Sequence, residues 1–188
     1  GGDLAIGAYG IINSIAFTFV MIILGLTQGM QPIIGYNYGA KLQHRVLSTL
    51  KKGMIAGFVI TTIGFLVAEL CPRLIASAFT NDEEMINLSI TGFRLFMLAF
   101  PIVGMQIVAS NFFQAIGKAK IAIFLSLTRQ LLFLIPALYL IPLILELNGV
   151  WLSTAVADFL SAFVSLWVLV VAIKKTYNAI SVDTATKK

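Results

Sequence analysis

The first long stretch of the chain without a charged side chain runs from residue 4 to residue 40. Four further apolar runs follow, at residues 53–71, 85–117, 121–145 and 147–173. About 20 apolar residues cross a hydrocarbon layer ~30 Å thick, so each run is long enough to span a bilayer once. Backbone in lipid must satisfy its own hydrogen bonds, and the alternating pattern of barrel strands is not seen here. Each run is therefore predicted to be a membrane-spanning helix.

The composition agrees with a membrane protein. Of 188 residues 59% are hydrophobic and 11% are charged, and the mean hydropathy is +0.97, which is more apolar surface than a soluble domain of this length can bury. The net charge of +5 does not indicate a nucleic-acid partner, because the lysines form small clusters between apolar runs instead of one basic patch. We expect an all-α, polytopic membrane protein whose partner is membrane lipid, with no nucleic acid.

Basic residues alternate between the two sides of the predicted bundle. They lie at residues 41–52, at Lys118 and Lys120, and at residues 174–188, whereas the intervening connections carry Asp82, residues 83–84 and Glu146 with a single Arg73. Basic loops stay in the cytoplasm, so residue 1 is predicted to lie on the outer side and residue 188 in the cytoplasm.

The predicted organisation is one membrane lobe, residues 1–175, followed by a cytoplasmic tail, residues 176–188. The predicted spans are residues 8–40, 47–71, 85–117, 121–146 and 149–173. Asn81 or Asp82 is expected to cap the third span. The chain starts on the outer side without a methionine or a signal peptide, so we expect a fragment that is preceded by at least one more helix.

Two polar stripes accompany prolines inside the apolar runs. Gln28, Gln31 and Gly35 share one helix face beside Pro32, which removes a helical hydrogen bond. Gln106, Ser110 and Gln114 follow Pro101 at four-residue intervals. The stripes either join helices to one another or line a water-accessible cavity. The candidates for lining a cavity are Gln28, Gln31, Met105, Gln106, Ser110, Asn111 and Gln114. The candidates for a kink or hinge are Pro32, Pro101 and Pro136. The candidates for helix packing are Gly29, Gly35 and Gly39.

Three ionisable residues inside the spans are candidates for a buried charge or a gate. Arg94 lies ~12 Å below the outer end of the third run, and Asp158 lies ~10 Å below Trp151 at the outer end of the fifth run. Arg129 lies nearer the middle of its run. An unpaired charge at this depth is costly, so Asp158 is expected to pair with Arg94 or Arg129. The similar depths favour Arg94. The pair has either a structural role or a gating and coupling role.

Nothing inside the runs indicates an enzyme. His44, the one histidine, lies in a basic loop, and the runs contain no Ser/His pair, no carboxylate pair and no cluster with metal-ligand spacing. The sequence therefore predicts no catalytic residue, no bound metal and no cofactor.

Four segments in order carry a family resemblance. They are GLTQGMQPIIGYNYGAK, NFFQAIGKAK, SLTRQLLFLIPALYLIP and NGVWLSTAVADFLSA. Together they resemble the C-terminal half of a bacterial multidrug and toxic compound extrusion (MATE) transporter. The resemblance implies that the five spans form most of one six-helix lobe and that the N-terminal lobe is absent from this chain.

The resemblance also implies a function. It implies secondary active efflux of small cationic amphipathic compounds, in exchange for sodium ions or protons, by alternating access in the bacterial inner membrane. One branch of the family has a coupling aspartate on the helix that corresponds to residues 99–114, and this chain has no carboxylate there. The coupling ion is therefore expected to bind in the missing N-terminal lobe. A lipid or polysaccharide flippase of related architecture is the alternative, and it would need a strongly basic cavity.

Overall fold

The computed structural model describes the backbone of residues 2–185 and the side chains of residues 2–174. Within these residues the chain is helical and contains no strand. Five helical segments are long and apolar enough to cross a membrane: Gly2–Gly39, Gln43–Leu70, Glu83–Ala115, Ala119–Leu140 and Pro142–Lys174. The predicted all-α class with five spans is confirmed.

Helices α1 (Gly2–Gly39) and α2 (Gln43–Leu70) form the first antiparallel pair. Between them Lys41 adopts a left-handed conformation with φ 58°, and the Leu42 N–H donates to the Asn37 carbonyl at 2.9 Å. This is the hydrogen bond that closes a Schellman motif, in which glycine is the usual residue at the left-handed position. The first two helices begin at Gly2 and Gln43, several residues before residues 8 and 47, where the sequence placed the spans.

The third span is built from two helices. The short helix α3 (Pro72–Ser77) precedes helix α4 (Glu83–Phe96). Asp82 stands immediately before α4, and its Oδ1 accepts from the Glu84 and Met85 N–H groups at 2.9 and 3.2 Å. Asp82 is thus the N-cap, one of the two residues that the sequence proposed. A 3₁₀ turn (Met97–Ala99) joins α4 to α5 (Phe100–Ala115).

The fourth span also changes its winding. Helix α6 (Ala119–Leu127) passes into a π-helical segment (Thr128–Leu134) and then into α7 (Ile135–Leu140). This span ends at Leu140, short of the predicted residue 146, because Pro142 has no N–H to continue the helix and starts α8 (Pro142–Ala185) instead. Residues 176–185 of the predicted tail continue α8, and residues 186–188 lie outside the described part of the chain.

The core consists of two apolar clusters, one at each end of the bundle. We call the end with the loops at residues 40–42 and 116–118 the basic end and the opposite one the acidic end. The cluster toward the acidic end includes Phe93, Phe96 and Trp151, and the cluster toward the basic end includes Met30 and Phe113.

Helices α2 and α5 approach most closely at two glycines. A Cβ on Gly104 would collide with the Gly57 carbonyl oxygen, so only glycine allows this approach. Beside it the Thr61 hydroxyl is buried and lies 2.8 Å from the carbonyl oxygens of both Gly57 and Pro101. The backbones of α2 and α5 are therefore in direct contact.

Candidate functional site

A cavity of about 510 Å³ lies between α1, α5, α6, the π-helical segment and α8. It occupies the half of the bundle nearer the basic end, since it borders the last turns of α5 and the first turns of the fourth span. Its polar lining residues are Gln106, Ser110, Asn111 and Gln114 of α5, Ser126 of α6, Arg129 and Gln130 of the π-helical segment, and Ser165 of α8. Four of the seven residues predicted to line a cavity are thus brought together in one.

Two buried groups in this cavity have no hydrogen-bond partner. Gln106 is 6% exposed and Ser165 is 1% exposed, yet Gln106 Oε1 and Ser165 Oγ contact no donor or acceptor among the described residues. A buried polar group without a partner costs about 1–3 kcal/mol. The other two serines of α8 whose side chains are described are paired: Ser153 Oγ lies 2.6 and 2.9 Å from the carbonyl oxygens of Gly149 and Ala137, and Ser161 donates to the carbonyl of Asp158. Of the four buried side-chain atoms without a partner among the described residues, Gln106 Oε1 and Ser165 Oγ therefore belong to the cavity lining, whereas Asn37 Oδ1 and Thr62 Oγ1 do not.

An ion pair lies beside the cavity. Arg129 donates its Nε–H to Asp158 Oδ1 at 2.6 Å. The Asp158 side chain is 6% exposed, whereas that of Arg129 is 39% exposed and borders the cavity. The carboxylate consequently lies behind the guanidinium group, which covers it from the cavity and compensates its charge.

Arg94 is not the partner of Asp158, although equal depth favoured it. Its side chain is 61% exposed, and the carboxylate nearest to it is that of Glu69 on α2, with Nε and Oε1 3.8 Å apart. The prediction was wrong because depth along a helix does not fix the direction of a side chain around it. Arg94 is on the exposed face of α4, together with Thr91, and Leu98 of the following 3₁₀ turn is exposed as well.

The remaining cavity candidates lie elsewhere. Gln28 is exposed on α1, and Met105 is half-buried on α5 without bordering the cavity. Gln31 borders a much smaller crevice between α1 and α5, which it shares with Asn111. Asn111 faces both spaces and donates its Nδ2–H to the Ile107 carbonyl at 2.9 Å.

Two of the three candidate hinge prolines coincide with a change of helix winding. Pro101 follows the 3₁₀ turn, and Pro136 follows the π-helical segment. At Pro32 the α-helix continues without interruption.

The three candidate packing glycines differ in their surroundings. A Cβ on Gly35 would lie 3.3 Å from the carbonyl oxygen of Ala115, so α1 and α5 approach closely there. Around Gly29 and Gly39 no described atom beyond the neighbouring backbone of the same helix lies within 4 Å of such a Cβ. Of the three, only Gly35 packs against another described helix.

Sequence reasoning missed several lining residues and one carboxylate. Ser126, Arg129 and Gln130 follow i, i+3, i+4 spacing and therefore share a helix face. Since Arg129 was already a candidate, this spacing could have identified Ser126 and Gln130 as lining residues. Ser165 follows Ser153, Ala157 and Ser161 at four-residue intervals, and a repeat of small residues is typical of helix packing, so its spacing gave no signal for a cavity. Glu69 was overlooked near the end of the second run. No group of three His, Cys, Asp or Glu side chains in the described residues could hold a metal ion.

Five membrane-length helices, four of which line a polar cavity beside a compensated charge pair, indicate a multi-pass membrane protein, and such a cavity is typical of a transporter. The MatE family model matches residues 2–140, and the chain belongs to this family of MATE transporters, which are not enzymes. Its five helices form most of one six-helix lobe of such a transporter.

Relatives and solved structures agree with this assignment. The chain is 24% identical over 185 residues to the multidrug export protein MepA of Staphylococcus haemolyticus, covering 98% of this chain and 40% of the relative. The MATE multidrug transporter DinF-BH, whose structure is solved, is 36% identical, with a TM-score of 0.80 over 90% of this chain and 38% of that one. The Vibrio cholerae MATE transporter VcmN, 18% identical, has the same fold, with a TM-score of 0.86 over 93% of this chain and 40% of VcmN. The chain therefore spans about two fifths of the length of the relatives that it matches.

Proposed function

We propose that this chain is part of a secondary active multidrug antiporter. The complete protein exports small cationic amphipathic compounds in exchange for sodium ions or protons, by alternating access. It lies in the bacterial inner membrane with residue 1 on the outer side and residue 188 in the cytoplasm. Its partners are membrane lipid, the transported cations and the N-terminal lobe of the same protein.

The observation that supports this function best is the polar cavity within an apolar bundle. Buried amide and hydroxyl groups without partners are costly in a membrane protein, and they are retained where water or a solute reaches them. MepA is a multidrug export protein and DinF-BH a multidrug transporter by name, and both match nearly the whole of this chain. The cavity and the names of these relatives support the same class of activity.

The coupling ion binds outside this chain in our proposal. No carboxylate among the described residues borders the cavity, and Arg129 separates Asp158 from it. We assign the Arg129–Asp158 pair a structural role, which is to hold α8 against the π-helical segment. The N-terminal lobe supplies the carboxylate that binds sodium or a proton.

A flippase for phosphate-bearing lipids or polysaccharides has no supporting observation in this site. Such a substrate needs unpaired basic side chains in the cavity. Among the described residues the only basic side chain that lines the cavity is that of Arg129, which is compensated by Asp158, and Arg94 lies outside it.

The test is efflux from cells. The full-length transporter that contains this lobe, produced in an efflux-deficient host, should lower the accumulation of a fluorescent cationic dye. Collapse of both the sodium and the proton gradient should abolish the effect, and collapse of one alone should identify the coupling ion. Unchanged accumulation across a broad panel of cations would contradict multidrug efflux.

A further inference from the structure

We propose that the cavity binds an uncharged hydrogen-bonding substituent of the transported compound, of which a primary amide is the simplest example, while the cationic part of the compound lies outside the cavity. The proposal rests on the proposed function and deepens it, because it assigns the uncharged substituent and the cationic part of the transported compound to two different places. It follows from the hydrogen-bonding groups and the charge of the lining residues.

The cavity offers both acceptors and donors. Gln106 Oε1 and Ser165 Oγ are buried acceptors without a donor among the described residues. Arg129 uses its Nε–H for Asp158, and its two terminal amino groups donate to no described residue. A primary amide has two N–H donors and one carbonyl acceptor, so one group can satisfy Gln106 or Ser165 while it accepts from Arg129.

The charge of the cavity argues against a cation within it. Arg129 is the charged residue in the described lining, and the carboxylate that compensates it lies behind it, 6% exposed. A ligand cation in the cavity would therefore meet the guanidinium charge first and at the shorter distance. The remaining polar lining residues are neutral amides and hydroxyls, which bind uncharged groups without this repulsion.

The site is also large enough for such a substituent. A volume of about 510 Å³ lies within the range of small-molecule sites, and apolar side chains such as Leu24, Val103 and Ile107 complete the wall. An aromatic ring that carries an amide can therefore enter with its ring against these residues.

The test uses two pyridinium cations of equal charge and nearly equal shape. The 1-benzyl-3-carbamoylpyridinium ion carries a primary amide, and in the 1-benzyl-3-acetylpyridinium ion a methyl group replaces the amide NH₂. Equilibrium dialysis of each radiolabelled cation with the purified full-length transporter measures the two dissociation constants. Since one hydrogen bond to a buried acceptor is worth about a factor of ten in affinity, we expect the amide to bind about tenfold more tightly.

Gln106→Leu should abolish this preference by weakening the amide about tenfold and leaving the acetyl compound unchanged. The variant should fold, because it removes a buried group that has no partner among the described residues. Ser165→Ala is a second, smaller change and should reduce the preference in part. Gln43→Leu is the matched control, since Gln43 lies at the start of α2 outside the cavity, and it should keep the full preference.

Equal affinity of the two cations for the wild-type protein would overturn the inference, and so would a preference that survives in both variants. Cationic dye efflux is measured in cells that produce the same wild-type and variant proteins. If the cells export the dye but the transporter binds the two pyridinium cations with equal affinity, the proposed function is supported and this binding site for an amide is not. A clear amide preference without dye efflux contradicts the proposed function instead.

Discussion

Loss of Arg129 should destabilise the protein more than loss of Asp158. In Arg129→Met the Asp158 carboxylate, with a side chain 6% exposed, stays buried without its partner. Breaking a buried ion pair by removing one partner costs about 3–5 kcal/mol, and water in the adjacent cavity favours the lower end of this range. In Asp158→Asn the remaining guanidinium is 39% exposed on the cavity side, and the amide oxygen can still accept from Arg129, so the cost should be about 1–2 kcal/mol.

The double variant Arg129→Met/Asp158→Asn gives the sharpest result. It removes the uncompensated carboxylate, so it should be more stable than Arg129→Met alone by about 1–2 kcal/mol. The measurement is the free energy of unfolding by SDS titration in mixed micelles. Arg94→Leu is the matched control, because Arg94 is exposed and 3.8 Å from Glu69, and it should change stability by less than about 1 kcal/mol. Costs of the two single variants that simply add in the double variant would refute the reasoning.

Three further outcomes follow from the backbone and the topology. Glu146 has φ 48° and ψ −128°, a conformation that glycine adopts without strain, so Glu146→Gly should raise the free energy of unfolding by about 1 kcal/mol in the same titration. Gly104→Ala should lower the free energy of unfolding by about 1–3 kcal/mol, because the new Cβ collides with the Gly57 carbonyl. Gly25→Ala is the matched control: no atom beyond the neighbouring backbone of its own helix lies within 4 Å, so the free energy of unfolding should change by less than about 0.5 kcal/mol, and equal effects of the two changes would contradict the close approach. A cysteine at His44 should react with an impermeant thiol reagent only from the cytoplasm and one at Asp82 only from outside, and labelling of both from one side would disprove the proposed sidedness.

The number and type of the helices followed from the sequence because length and hydropathy leave a lipid-embedded backbone few choices. Five runs long enough to cross a bilayer became five spans. The Asp82 cap could also be predicted, since a short acidic side chain before an apolar run accepts hydrogen bonds from the first N–H groups of a helix. These are local properties, and local properties can be inferred from local sequence.

The partner of Asp158 could not be inferred in the same way: depth along a helix does not fix the direction of a side chain, and the depth of Asp158 was also counted from a residue that is not the start of its helix. Depth was counted from Trp151, but α8 begins at Pro142 and resumes helical geometry at Leu147, after the departure at Glu146. Counted from the actual turn, Arg129 lies 11 residues before Leu140 and Asp158 lies 11 residues after Leu147 (140 − 129 and 158 − 147). In two consecutive antiparallel helices, residues that are equally far from the connecting turn lie side by side. No sequence pattern indicated the π-helical segment or the left-handed conformation of Glu146. The alignment of Arg129 with Asp158 was therefore visible only in the structure.

The two faces of α5 explain how a polar cavity can exist inside an apolar lobe. One face carries Gly104 and Val108, which pack against α2 at Gly57, and this contact brings two backbones together. Close backbone packing of this kind stabilises membrane helices by van der Waals contact without a hydrophobic driving force. The other face, with Gln106 and Ser110, is then not needed to hold α5 in place and is free to carry polar groups. A side chain at Gly104 would move α5 away from α2 and narrow the cavity on the opposite face, so the glycine contact and the polar cavity depend on each other.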